Sequence, residues 1–166
     1  MSEHPLLQVG EMLQTLLDGG VDFVLIGGLA AQIHGSPSLT GDVDICHRLD
    51  RDNLERLAAA LRQLAAIRRE MPAKVAPHVD AQALRAGDVF TLVTRFGDLD
   101  LLAHPDPGLD YVVLRLNAVS ASILGVPVMA AGLDDLIAMK RAAGRPKDRV
   151  EVEILGALRE ELDRQD

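Results

Sequence analysis

Two short segments of the chain place an acid at every second position between apolar residues: Asp42-Val43-Asp44-Ile45 and Asp98-Leu99-Asp100-Leu101-Leu102. Strand side chains alternate between faces, so in each segment both carboxylates project to one side while the aliphatic residues enter a core. The chain must therefore build at least part of a sheet with one acidic face. Where two such strands pair side by side, three or four carboxylates converge, a costly arrangement unless a cation lies among them. Hard divalent ions such as Mg²⁺ choose oxygen ligands. Two such ions are the usual means of clamping the attacking and leaving oxygens of a phosphoryl transfer. The plain alternatives are the solvated face of an edge strand for Asp42 and Asp44, and scattered surface acids for Asp98 and Asp100.

The rest of the chain supplies elements to pack on that sheet. Leu6, Val9, Met12, Leu13, Leu16 and Leu17 recur at helical spacing, and Gly19-Gly20 stops that helix. Asp22–Ile26 reads as a buried strand closed by Gly27-Gly28, and Leu29–His34 as a short helix ended by Gly35-Ser36-Pro37-Ser38. Asp52–Leu64 is amphipathic, with Leu54, Leu57, Leu61 and Leu64 on one side. Val89–Arg95 and Asp98–Leu102 form a hairpin through Phe96-Gly97, Asp110–Leu114 is a short helix, and Val119–Leu124 with Val126–Ala130 form a second hairpin around Gly125. Leu133–Ala143 is a helix stopped at Gly144, and Pro146 opens a last helix to about Leu162. Strands and helices alternate early and hairpins follow. The fold class is α/β (α+β): a mixed sheet flanked by helices, with a C-terminal helical segment. The 166 residues make one domain, with an N-terminal helix in 1–20, the sheet core in 21–130 and helices in 131–166.

Composition excludes several classes. Hydrophobic residues are 48% and charged residues 25%, which rules out disorder and low complexity. No apolar stretch reaches the ~20 residues needed to cross a bilayer. The start, MSEHPLLQVGEM, has an early acid and no basic region, unlike a signal peptide. The single Cys46 excludes an internal disulfide and any multi-cysteine zinc site. A soluble cytoplasmic protein is expected. The net charge of −8 argues against binding nucleic acid through bulk charge. A local basic stretch remains in Lys140, Arg141, Arg145, Lys147 and Arg149, opposed only by Asp148.

Gly27-Gly28 lies where a strand passes into a helix. Backbone without side chains can approach a ligand there, and the helix start favours anions; a tight turn is the plain alternative. Neither the dinucleotide nor the P-loop glycine pattern is present. Lys140, near a helix C-terminus, either serves the helix dipole or neutralises a triphosphate. His34 and His47 have no metal-ligand partner at helical spacing and read as structural. Cys46 reads as buried and inert.

The run from Ile26 to Ile45, with Gly27-Gly28, Thr40 and Asp42-Val43-Asp44, resembles the signature of the polymerase-beta-like nucleotidyltransferase superfamily. It looks most like small bacterial members related to the AbiEii abortive-infection toxins and the minimal nucleotidyltransferases. The segment Leu133–Asp148 is similar to their closing segment. The resemblance implies that Gly27 and Gly28 hold nucleotide phosphates with Thr40 in the same motif. It further implies that Asp42 and Asp44 bind two Mg²⁺ ions, and that Lys140 sits near the triphosphate of an NTP substrate. A third carboxylate ligates metal and helps deprotonate the acceptor; Asp100 matches it best, with Asp98 as fallback. The acceptor hydroxyl belongs to tRNA, a protein or a small molecule. A second protein or a second copy would complete its surface, as in a toxin–antitoxin or phage-defence system. One departure stands out: Ser38 occupies a place where related sequences carry Arg, whose fork would contact phosphate. The rival implied by that departure is a binding module, a toxin–antitoxin partner with a weak or vestigial site.

Overall fold

A computed structural model describes residues 4–166; Met1 to Glu3, the start of the region expected to be helical and of the segment read as unlike a signal peptide, lie outside the described residues. Seven strands form one sheet: β1 (Phe23–Ile26), β2 (Asp42–His47), β3 (Ile67–Arg68), β4 (Val89–Thr94), β5 (Gly97–Leu102), β6 (Val119–Ile123) and β7 (Val126–Ala130). Their spatial order is β3-β4-β5-β2-β1-β7-β6. The helices are α1 (Val9–Asp18), α2 (Gly27–Ile33), α3 (Arg51–Gln63), α4 (Ala81–Ala86), α5 (Tyr111–Asn117), α6 (Leu133–Ala143) and α7 (Pro146–Gln165). The mixed sheet flanked by helices is thus as the patterning implies. No described helix is long and apolar enough to cross a membrane.

The two acidic strands pair with each other. β2 runs parallel to β5 with Asp42 beside Asp98 and Asp44 beside Asp100. On the opposite face Val43, Ile45, Leu99 and Leu101 are fully buried. β2 lies in the middle of the sheet, between β5 and β1, so the edge-strand alternative does not hold. Burying the aliphatic face of a central strand fixes its register, because a slip by one residue would send every acid into the core.

Helix α3 packs Leu54, Leu57, Leu61 and its C-cap Leu64 into the core, and the Asp50 carboxylate caps its start by accepting from the Asn53 N–H at 3.2 Å. The β6–β7 turn has positive φ at both Leu124 (50°) and Gly125 (82°), the geometry of a tight hairpin.

Some elements differ from expectation. Helix α1 does not reach back to Leu6, which is 84% exposed; the Gln8 N–H instead donates to the Phe96 carbonyl at 2.8 Å, tying that stretch to the β4–β5 turn. β3 and α4 have only two and six residues, too short to show a periodic pattern. Cys46 is fully buried and its thiol is pushed up to about 12 by burial. His34 Nε2 bonds the Ala131 carbonyl at 2.9 Å. His47 is fully buried, with no hydrogen-bond partner at either ring nitrogen among the described residues.

Candidate active site

The junction from β1 into α2 explains its own glycines. Gly27 has φ +71°, and a Cβ there would lie 2.0 Å from Asp44 Oδ2. At Gly28 a Cβ would lie 2.7 Å from the Thr40 Cβ. Neither position admits a side chain while Asp44 and Thr40 stay where they are. No side chain caps the start of α2, so its first N–H groups are unclaimed by an N-cap. Beside this junction a cavity of ≈700 Å³ opens, lined by Gly27, Gly28, Thr40, Asp42, Asp44 and Asp100 and also by Lys140 and Arg145.

The carboxylates meet at its floor. One oxygen from each of Asp42, Asp44 and Asp100 lies within 4.8 Å of the others. Burial, reinforced by Asp42 and Asp100, pushes the Asp44 carboxyl up to about 7. Burial also raises Asp100, against the pull of the Arg69 guanidinium. Thr40 Oγ1 donates to Asp42 Oδ1 at 3.1 Å and so orients that carboxylate. Asp98 is not part of this group. It lies beside Asp42 in the register, but its carboxylate turns to His4 Nε2 at 2.7 Å and Arg69 Nε at 3.3 Å.

Lys140 is aimed by a buried acid. Its Nζ lies 3.6 Å from Oδ1 of Asp148, which is fully buried and also receives Arg145 Nε at 2.6 Å. Burial would raise the Asp148 carboxyl, but the hydrogen bonds and charge of Arg145, together with the charge of Lys140, hold the group below the usual carboxylate range. Of the basic stretch seen in the sequence, Lys140, Arg145 and Lys147 line the cavity.

Ser38 has an occupation that the sequence did not show. Its Oγ donates to Glu151 Oε2 at 2.7 Å, and Ser36 Oγ donates to Oε1 of the same carboxylate at 2.7 Å. Glu151 is buried on α7. The side chain at position 38 thus answers a buried acid, together with Ser36.

Arg69, Asp148 and Glu151 are the residues of this region that sequence reasoning did not single out. Asp148 was visible only as the lone acid in a basic stretch, and nothing local marks the other two. Chemically, the donor set of Asp42, Asp44 and Asp100 is all hard oxygen, and burial together with the two neighbouring acids raises Asp44 to about 7. Such a set fits a divalent cation of the Mg²⁺ kind.

No family model matches the chain, and no curated protein sequence matches it. Solved structures share its fold. TM1012, a candidate nucleotidyltransferase from Thermotoga maritima, aligns over 99% of both chains with a TM-score of 0.55 at 16% identity. The lincosamide antibiotic adenylyltransferase LnuA, solved with lincomycin bound, aligns over 92% of this chain and 99% of its own, with a TM-score of 0.60 at 14% identity. ANT(2″)-Ia in complex with adenylyl-2″-tobramycin aligns over 93% of this chain and 96% of its own, with a TM-score of 0.55 at 17% identity. The chain has the nucleotidyltransferase fold.

Proposed function

We propose that this chain is a Mg²⁺-dependent nucleotidyltransferase that moves a nucleoside monophosphate from an NTP to a hydroxyl acceptor. The observation that carries the proposal is the convergence of Asp42, Asp44 and Asp100 on the floor of a cavity that Gly27, Gly28 and Lys140 also line. Asp42, Asp44 and Asp100 would hold two Mg²⁺ ions, which when bound neutralise phosphate charge and ease loss of the acceptor's proton. The bare backbone at Gly27-Gly28 and the Lys140 ammonium take the triphosphate, with Asp148 keeping Lys140 in place. Thr40 acts through Asp42, whose carboxylate it orients. Asp100 accepts the proton as the acceptor oxygen bonds the α-phosphorus, the α–β bridging bond breaks, and pyrophosphate leaves. The chain's part is positioning and charge neutralisation.

Of the acceptors tRNA, protein and small molecule, the small molecule is favoured by the lincomycin and the adenylyl-2″-tobramycin in two structures of the same fold. The rival binding module drew on Ser38 as a lost phosphate contact. Ser38 instead bonds Glu151, and loss of Mg²⁺-dependent NTP binding would favour that rival.

The test is Mg²⁺-dependent pyrophosphate release from each of the common NTPs, with lincomycin and tobramycin supplied as hydroxyl acceptors and Asp44→Ala as the control. Release that requires Mg²⁺ and is abolished in the variant is expected. If no NTP binds to the natural chain with any divalent ion, the proposal fails.

A further inference from the structure

Arg69 is held at several points on the acidic face of the sheet. Its backbone N–H donates to the Thr91 carbonyl at 2.9 Å, just past the end of β3. Thr91 is the register partner of Asp100, so the Arg69 side chain crosses β4 to reach β5. There Nη2 donates to Asp100 Oδ1 at 2.7 Å and to the Leu92 carbonyl at 3.1 Å. The guanidinium Nε lies 3.3 Å from Asp98 Oδ2 as an ion pair without hydrogen-bond alignment. One planar cation therefore spans both acids of the second D-x-D segment, only one of which belongs to the carboxylate cluster.

We propose that Arg69 is a positioning residue, fixing Asp100 with one oxygen claimed and the other left open toward the cavity, while Asp98 braces Arg69. The inference rests on the nucleotidyltransferase reading of the same site. Its physical basis is the fork: a guanidinium can bridge two carboxylates and a carbonyl in one plane, which an ammonium cannot. A carboxylate held by such a neighbour loses few rotamers when it takes a ligand. The pairing also explains why four acids on one face do not form one cluster. His4 at 2.7 Å and Arg69 at 3.3 Å together draw the Asp98 carboxylate aside, leaving three acids to face the cavity.

The experiment has a binding arm and a turnover arm, both on the full chain. In a Mn²⁺ titration, Asp100→Asn weakens binding by about 10-fold or more, as loss of a ligand does, while Asp98→Asn, which only loosens Arg69, weakens it clearly less. In pyrophosphate release, Arg69→Gln lowers kcat by roughly 10–100-fold, the usual effect of losing a ligand's support, and leaves the KM for NTP unchanged. Arg69→Lys keeps the charge without the fork and recovers only part of that loss. The double variant Arg69→Gln/Asp98→Asn is no slower than Arg69→Gln alone, because Asp98 acts only through Arg69. An Asp98→Asn variant that loses Mn²⁺ as severely as Asp100→Asn overturns the inference. So does an Arg69→Gln variant with full kcat. A natural chain that neither binds Mn²⁺ nor releases pyrophosphate removes the enzyme reading itself, whereas one that does both while these variants behave otherwise removes only the role of Arg69.

Discussion

Asp44 shows what it costs to assemble such a site before a cation arrives. Its carboxyl is raised from 3.8 to about 7 by burial and by Asp42 and Asp100. A group whose folded pKa lies above its unfolded value stabilises the fold at low pH, and that contribution is lost as pH rises through the folded pKa. The metal-free protein should therefore lose stability between its unfolded value and about pH 7. Asp44→Asn is expected to melt several degrees higher than the natural chain at pH 8, with little difference at pH 4, and added Mg²⁺ should close the gap for the natural chain only. Thermal melts at the two pH values, with and without Mg²⁺, check this. His47 behaves in the opposite sense. Burial lowers it from 6.5 to about 4, so the unfolded chain takes up its proton first as pH falls. Stability is lost across that window and flattens below it. His47→Leu, which also removes two buried unpartnered nitrogens, should leave stability at pH 7 equal or higher and shrink the drop between pH 6.5 and 4. Denaturant midpoints at those two values measure it.

At the scale of elements, the wall of the cavity that carries Thr40 depends on the far end of the chain. Helix α7 presents Glu151 to Ser36 and Ser38, clamping the loop that leads into β2. Glu151→Ala would leave two hydroxyls poorly paired in a buried place, a loss of about 1–3 kcal/mol. A lower Tm and a raised KM for NTP are expected together, because the loop that orients Asp42 through Thr40 is loosened. If KM is unchanged while Tm falls, the clamp serves stability alone. This contact also marks how far the sequence could be read. Alternation around Asp42 and Asp98 needs only neighbouring residues to reveal a strand and its acidic face. The meaning of Ser38 depends on a carboxylate 113 residues away. Arg69 is hidden for the same reason: its partner is set by the Thr91–Asp100 register, which exists only once β4 and β5 pair. The glycine pair was visible, but the Asp44 oxygen that forbids a Cβ at Gly27 was not.

Across the whole molecule, a central pair of parallel strands sets the acids, the β1–α2 junction sets the bare backbone, and α6 with α7 close the cavity from the other side. Each carries part of the proposed chemistry, and none holds the site alone. The fold class and most elements could be read from the order of strands, helices and turn residues. β3 and α4 could not, since neither is long enough to impose a period. The most direct measurement is diffraction from crystals grown with Mn²⁺ and a non-hydrolysable NTP analogue, using the anomalous signal of the metal. Manganese bound by Asp42, Asp44 and Asp100, with the triphosphate running along Gly27-Gly28 toward Lys140, is the expected result. Nucleotide bound elsewhere, or manganese absent from those three carboxylates in a nucleotide-loaded crystal, would contradict it.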